Sequence, residues 1–320
     1  MHSAQLQSLL TLAGKAAKIA GNYIANINHD EITVNYKAGG STLASQVVTQ
    51  VDIDCEKLIY AAFKDSCTQF NIAFLGEESA DSFAINQHPR LLKPYFWCVD
   101  PLDGTLAFTE NVPGYAVAIA LVNQQGQALL GAVYNPRTDE LYQAIANQPQ
   151  LAIKQKLFKN QQPWQPLRPS PLKTNTQETP PALSVFFDRS FQNFFYYPKL
   201  IKKLEQRALA LGYSGINIEN QAGSVINAIQ VLENAPACYF KLPKKERGGG
   251  STWDFAATSA LANAASIWVS DIYGEPLNLN SAESLFMNKS GVIFAHGDQL
   301  ASDTELAKII MEIAEHFNPL

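Results

Sequence analysis

Cysteine is scarce in this chain, and charge is thin. The four cysteines, Cys55, Cys67, Cys98 and Cys238, show no C-x-x-C spacing, so neither a thiolate metal site nor a disulfide framework is indicated. They read as reduced core residues and point to a reducing cytoplasm. None of the five histidines, His2, His29, His88, His296 and His316, lies in a motif, which disfavours a zinc triad or a histidine nucleophile. The G-x-S-x-G elbow of serine hydrolases is absent as well. No run approaches the roughly 18 apolar residues that cross a bilayer, so no membrane association is expected. Leu6, Leu9, Leu10, Ala13, Ala17, Ala20 and Ile24 recur instead at helical spacing, without a basic stretch before them, which predicts an amphipathic surface helix rather than a leader. The net charge is −5 and the isoelectric point about 5.6. An acidic balance argues against a nucleic acid polymer as partner.

What is present is apolar. Of 320 residues 47% are hydrophobic and 17% charged, enough for a large core and more than one domain usually holds. The hydrophobic pattern predicts helices over about Ser3 to Asn28 and Ala44 to Ser66, then strands at Ile72–Leu75, Pro94–Val99, Ala116–Val122, Ala128–Asn135 and Leu141–Ala146. The last three strands, joined by short polar turns, read as an antiparallel meander. A Gln-, Pro- and Lys-rich stretch from Gln148 to Pro181 reads as a connection with a short strand near Leu151–Ile153. Beyond it come strands at Ala182–Phe187, Ala237–Phe240 and Val292–Ala295, and helices at Tyr197–Leu211, Gly223–Glu233, Trp253–Ala265 and Asp303–Phe317. Strands alternating with helices suggest α/β architecture. Two domains are expected, 1–178 of α+β type and 179–320 of α/β type.

Three short segments carry chemistry: Leu75-Gly76-Glu77-Glu78-Ser79, Asp100-Pro101-Leu102-Asp103-Gly104-Thr105, and Trp253-Asp254-Phe255-Ala256-Ala257. Each sets carboxylates at the end of an apolar stretch. Pro101 fixes its own φ and drives Asp100 toward an extended conformation, so a stiff turn carrying Asp100 and Asp103 is predicted at the end of a buried strand. Magnesium takes oxygen ligands at roughly 2.0–2.1 Å, and one or two carboxylates with substrate phosphate oxygens suffice for it. The Leu102 carbonyl lies between the two acids as a further oxygen donor. Gly104 allows close backbone approach to an anion, and the N–H groups after Thr105 form a phosphate cradle. The bland readings are an ordinary Asp-Pro-Gly turn, a solvated Glu-Glu loop and an acid at a helix start. Gly223-Ser224, opening a helix, could present N–H groups to substrate or serve only as a cap.

The three segments, in this order and at this separation, resemble the lithium-sensitive, magnesium-dependent phosphatases that include inositol monophosphatases and 3′(2′),5′-bisphosphate nucleotidases. The resemblance runs from Val48-Thr49-Gln50-Val51-Asp52 to the strand after Gly291. It implies a layered αβαβα sandwich of the sugar phosphatase type with the site between two domains. It implies that Glu77, Asp100, the Leu102 carbonyl, Asp103 and Asp254 bind two Mg²⁺ ions. The set Glu77, Asp100 and Leu102 would hold the water-activating ion; Asp100, Asp103 and Asp254 would hold the one facing the leaving group. Asp52 and Thr105, with Glu77, would then be catalytic by orienting the attacking water. The loop 37–46 is longer than in many members and lacks their Asp, which leaves a third metal open.

The partner implied is a small phosphorylated metabolite, in a chain that could be a monomer or a homodimer. Inositol-specific members place an acid where this chain has Lys241, ahead of the basic Lys244-Lys245-Glu246-Arg247 loop. A second phosphate on the substrate suits such lysines, so adenosine 3′,5′-bisphosphate is expected before inositol monophosphate or a sugar phosphate. A solvated glycine-rich tip is the bland account of that loop. A non-catalytic binding module that keeps the fold is the contrasting class.

Overall fold

The computed structural model describes residues 1–29, 32, 34–36, 47–146, 156–166, 179–246 and 248–317. The loop 37–46, the strand expected near Leu151–Ile153 and Arg247 lie outside them. In chain order the elements are α1 (Ser3–Ala25), β1 (Val34–Tyr36), β2 (Val47–Thr49), α2 (Gln50–Gln69), β3 (Ile72–Gly76), β4 (Tyr95–Asp103), α3 (Thr105–Thr109), β5 (Ala116–Asn123), β6 (Ala128–Asn135) and β7 (Glu140–Ile145). There follow β8 (Lys156–Lys159), β9 (Gln162–Pro163), β10 (Leu183–Phe186), α4 (Tyr197–Ala210), β11 (Ile216–Glu219), α5 (Ser224–Glu233), β12 (Ala237–Lys241), α6 (Thr252–Ala265), β13 (Trp268–Ser270), β14 (Val292–His296) and α7 (Asp303–Phe317).

The two larger sheets among the described residues are stacked between three helical layers. The first runs β3-β4-β5-β6-β7-β8-β9, parallel only between β3 and β4. The second runs β11-β10-β12-β14-β13, with β10 parallel to both β11 and β12. Side-chain alternation along the strands sorts the core into three bodies. Trp97, Val99, Val117, Ile119 and Leu121 pack under α1 and α2. Phe96, Cys98, Ala116, Ala118 and Ala120 face the opposite way, toward α5 and α6, whose far side meets Phe186, Tyr239 and Phe294 of the second sheet. Val185, Phe240 and Ile293 point on to α4 and α7. The order is αβαβα, as the resemblance implies.

The middle layer explains the composition of α6. A helix between two sheets is buried all round, and Phe255, Ala256, Ala257, Ala260, Leu261 and Ala262 are all buried. It lies so close to β6 that a Cβ at Gly131 would overlap the Ala257 carbonyl.

Two expectations are corrected by local hydrogen bonding. The second helix starts at Gln50, not near Ala44, because Thr49 caps it in a reciprocal pair with Asp52. Val47–Thr49 pairs instead with Val34–Tyr36 as a small antiparallel sheet. The strand predicted to end at Val99 runs on to Asp103, so Asp100-Pro101 is no turn. Its pairing with β5 shifts there: Asp100 partners Ala118 and Asp103 partners Ala116, which leaves Pro101 and Leu102 opposite Val117 alone. That is a β-bulge, and it accommodates the proline inside a sheet. The half-exposed edge strand β11, only four residues long, escaped the sequence reading because so short an alternation carries little signal.

Candidate metal centre

The site lies where the first sheet meets the middle helical layer. β3 and β4 run parallel and end side by side, which sets the backbone of Glu77, just past β3, beside β4: its N–H donates to the Val99 carbonyl at 3.1 Å, while the acids whose ligand oxygens converge are Asp100, Asp103 and Asp254, without Glu77. Asp100 and Asp103 leave the sheet on its inner face. From the facing layer, the third residue of α6 supplies Asp254, whose Oδ2 accepts the Ser251 N–H at 3.0 Å in a capping pair. Ligand oxygens of Asp100, Asp103 and Asp254 lie within 4.8 Å of one another.

Like charges held this close out of water are costly. Burial, with Asp254 beside it, pushes the Asp103 carboxyl well above the ordinary range, although the Val225 N–H donates to its Oδ2 at 2.9 Å. Burial likewise lifts Asp254 to about 6, against the opposing charge of Lys241. The donors are all oxygen, without histidine or thiolate, which suits a hard divalent cation such as magnesium. The residues present therefore fit the ion.

Asp52 and Thr105 form a second unit beside the cluster. Oδ2 of Asp52 accepts from the Thr49 N–H at 2.8 Å and the Thr49 hydroxyl at 2.6 Å, which fixes the carboxylate as part of the cap of α2. Its other oxygen, Oδ1, lies 2.9 Å from the Thr105 hydroxyl, which is also 3.1 Å from the Leu102 carbonyl. A hydroxyl has one proton, so donating to Asp52 leaves its lone pairs and the Leu102 carbonyl for other partners. Burial raises Asp52 to about 6, with the Glu77 charge adding to it and the Thr49 and Thr105 bonds opposing.

Gly104 has φ +82°, in the left-handed region where a side chain is strained. It starts the short α3 directly behind the bulge. The Gly223 N–H, expected to face substrate, donates instead to the Gly114 carbonyl at 2.8 Å. Gly223 matters for another reason: a Cβ there would overlap the Asp103 carboxylate. Ser224 is buried as the first residue of α5.

Lys241 is not part of an exposed basic loop. It is the last residue of β12, 8% exposed, with Nζ 2.6 Å from Asp188 Oδ2 and 5.4 Å from the centre of the Phe255 ring. Burial alone would lower its pKa, yet Asp188, Asp254 and Asp103 together raise it. The Tyr239 hydroxyl donates to the other Asp188 oxygen at 2.8 Å. Asp188 escaped the sequence reading, although it stands just beyond a predicted strand, the same signal that drew attention to Glu77.

A model of the "Inositol monophosphatase family" matches residues 5–315. The Nus factor SuhB of Salmonella typhimurium is 34% identical over 148 residues, which is 45% of this chain and 49% of that protein. The chain thus spans about half the length of the first such relatives. The inositol-1-monophosphatase of Bacillus subtilis is 24% identical over 285 residues, 88% of this chain and 92% of that one. Among solved structures, the Thermotoga maritima IMPase superposes with a TM-score of 0.64 at 19% identity, covering 98% of this chain and 99% of its own. That likeness concerns the fold.

Proposed function

The chain belongs to the inositol monophosphatase family, and we infer that it is a magnesium-dependent phosphomonoesterase acting on a small phosphorylated metabolite. One observation carries this reading: Asp100 and Asp103 from one sheet and Asp254 from the facing helix converge on a single point. Glu77, Asp100, the Leu102 carbonyl, Asp103 and Asp254 would hold two Mg²⁺ ions. Bound there, they would neutralise phosphate oxygens and acidify an attacking water. The chain's own part is proton handling and aim. Thr105, donating to Asp52, keeps a lone pair to accept from that water, and Asp52, with a pKa near 6, can draw the proton through the hydroxyl. Division of the chain at 178 would put Asp254 and the leaving-group side on the second part, so the two halves complete the site jointly. Inhibition by Li⁺ would accompany this reading.

The leaving group would lie toward Lys241 and Asp188. A lysine already paired with a carboxylate offers a second phosphate no net attraction, whereas the pair offers a polyol both a donor and an acceptor. Asp188 remains 27% exposed for that purpose. This favours a hydroxylated leaving group, as in inositol or sugar phosphates, over adenosine 3′,5′-bisphosphate. The bisphosphate reading keeps support from the neighbouring Lys244 and Lys245. The test is phosphate release, with and without Mg²⁺, from inositol 1-phosphate, a hexose phosphate, adenosine monophosphate and adenosine 3′,5′-bisphosphate. Magnesium-dependent turnover is expected, fastest on the polyol esters. Preference for the bisphosphate would restore the nucleotidase reading, and no turnover on any ester would favour a binding module.

A further inference from the structure

Asp52 is one of two carboxylates that α2 turns toward the site. Glu56, one helical turn further on and therefore on the same face, is 7% exposed. Its Oε2 accepts the Glu78 N–H at 2.7 Å. Its carboxylate also lies flat against Gly76, where a Cβ would overlap it. Gly76 and Glu78 are the two chain neighbours of Glu77, so Glu56 grips the backbone on both sides of that residue. Glu77 is in turn close enough to raise the pKa of both Asp52 and Asp254. One helix face therefore holds both strand ends of the site: Asp52 holds Thr105 beyond β4, and Glu56 holds the peptide beyond β3.

We propose that Glu56 is a positioning residue for Glu77, clamping residues 76–78 so that the Glu77 carboxylate is aimed at the cation site before metal arrives. The proposal rests on the reading of Glu77 as a metal ligand. Residues that orient a ligand from behind typically cost 10–100-fold in metal affinity when removed.

The experiment compares Glu56→Ala, Glu56→Gln and Glu77→Gln in the full chain. Three readouts are taken: Mn²⁺ binding by the EPR signal of the free ion, Mg²⁺ activation of phosphate release, and the thermal midpoint without metal. Glu56→Ala should weaken Mn²⁺ binding about ten-fold or more and raise the Mg²⁺ needed for half-maximal rate, while kcat at saturating Mg²⁺ largely returns. Glu56→Gln keeps an acceptor for the Glu78 N–H and should stay within about three-fold of wild type, because only the hydrogen-bond geometry is needed. If Glu56→Ala lowers only the thermal midpoint and binds Mn²⁺ like wild type, Glu56 is a structural cap and the proposal fails. If Glu56→Gln is as impaired as Glu56→Ala, the clamp is not the hydrogen bond and the proposal fails too. Unchanged Mn²⁺ binding in Glu77→Gln would remove the ligand assignment itself, a different failure that shows in that variant alone. Should Glu56→Ala not fold, Gly76→Ala displaces the same carboxylate with a single methyl group and should weaken Mn²⁺ binding likewise; wild-type binding there overturns the clamp.

Discussion

Asp100 and Asp103 are three positions apart on β4, yet their partners Ala118 and Ala116 are two apart on β5 and face one side of the sheet. In an unbroken strand, side chains three apart point to opposite faces. The bulge at Pro101-Leu102 absorbs the odd residue, so both carboxylates meet Asp254 while Leu102 turns into the core beneath α1 and α2. The bulge is thus what keeps both acids on one face of the sheet.

Asp103→Asn tests the cluster. The amide oxygen can still accept from the Val225 N–H, so the fold should hold. Turnover at saturating Mg²⁺ should fall by well over about 100-fold, more than loss of a supporting residue typically costs. The metal-free protein should melt higher than wild type, because one of two adjacent buried charges is gone. A variant with wild-type turnover would remove Asp103 from the ligand set.

The same charges predict how pH and magnesium interact. Asp52 and Asp254 titrate near 6 in the fold, against 3.8 ordinarily, and Asp103 is raised as well. Between those values the folded chain binds more protons than the unfolded one, so stability of the metal-free protein falls as pH rises through that window. Mg²⁺ should relieve the cost where the acids are ionised. Its effect on the thermal midpoint should therefore be larger at pH 7.5 than at pH 5, and equal shifts would contradict this picture.

Gly223→Ala places a methyl group where the Asp103 carboxylate lies. Either α5 or the carboxylate must move. Weaker Mn²⁺ binding is expected, about ten-fold by analogy with other orienting contacts, with secondary structure unchanged by circular dichroism. Wild-type affinity would show that the end of α5 yields without disturbing Asp103.

Asp188→Asn removes the charge that compensates Lys241. The ammonium would then be available to a second phosphate, and the ratio of kcat/KM for adenosine 3′,5′-bisphosphate over inositol 1-phosphate should rise about ten-fold, since a hydrogen bond to a charged group is worth about 1.5–3 kcal/mol. An unchanged ratio would mean that the pair does not read the leaving group.

Much of this protein was legible in its sequence because the signals are local. Apolar runs bounded by turn residues mark β3 to β7, small apolar residues mark the enclosed helix α6, and Asp100, Asp103, Glu77 and Asp254 stand at the ends of such runs. What tertiary structure alone decided depends on register and on distant partners. The face reached by Asp103 is set by pairing with Ala116, and the partner of Lys241 is Asp188, just past β10 of the second sheet. Nor does any pattern around Glu56 say that its carboxylate closes on Gly76 and Glu78. Hydrophobic periodicity is written within one element, whereas a bulge, a buried ion pair and a clamp exist only between elements, where cross-strand register and packing decide which groups meet.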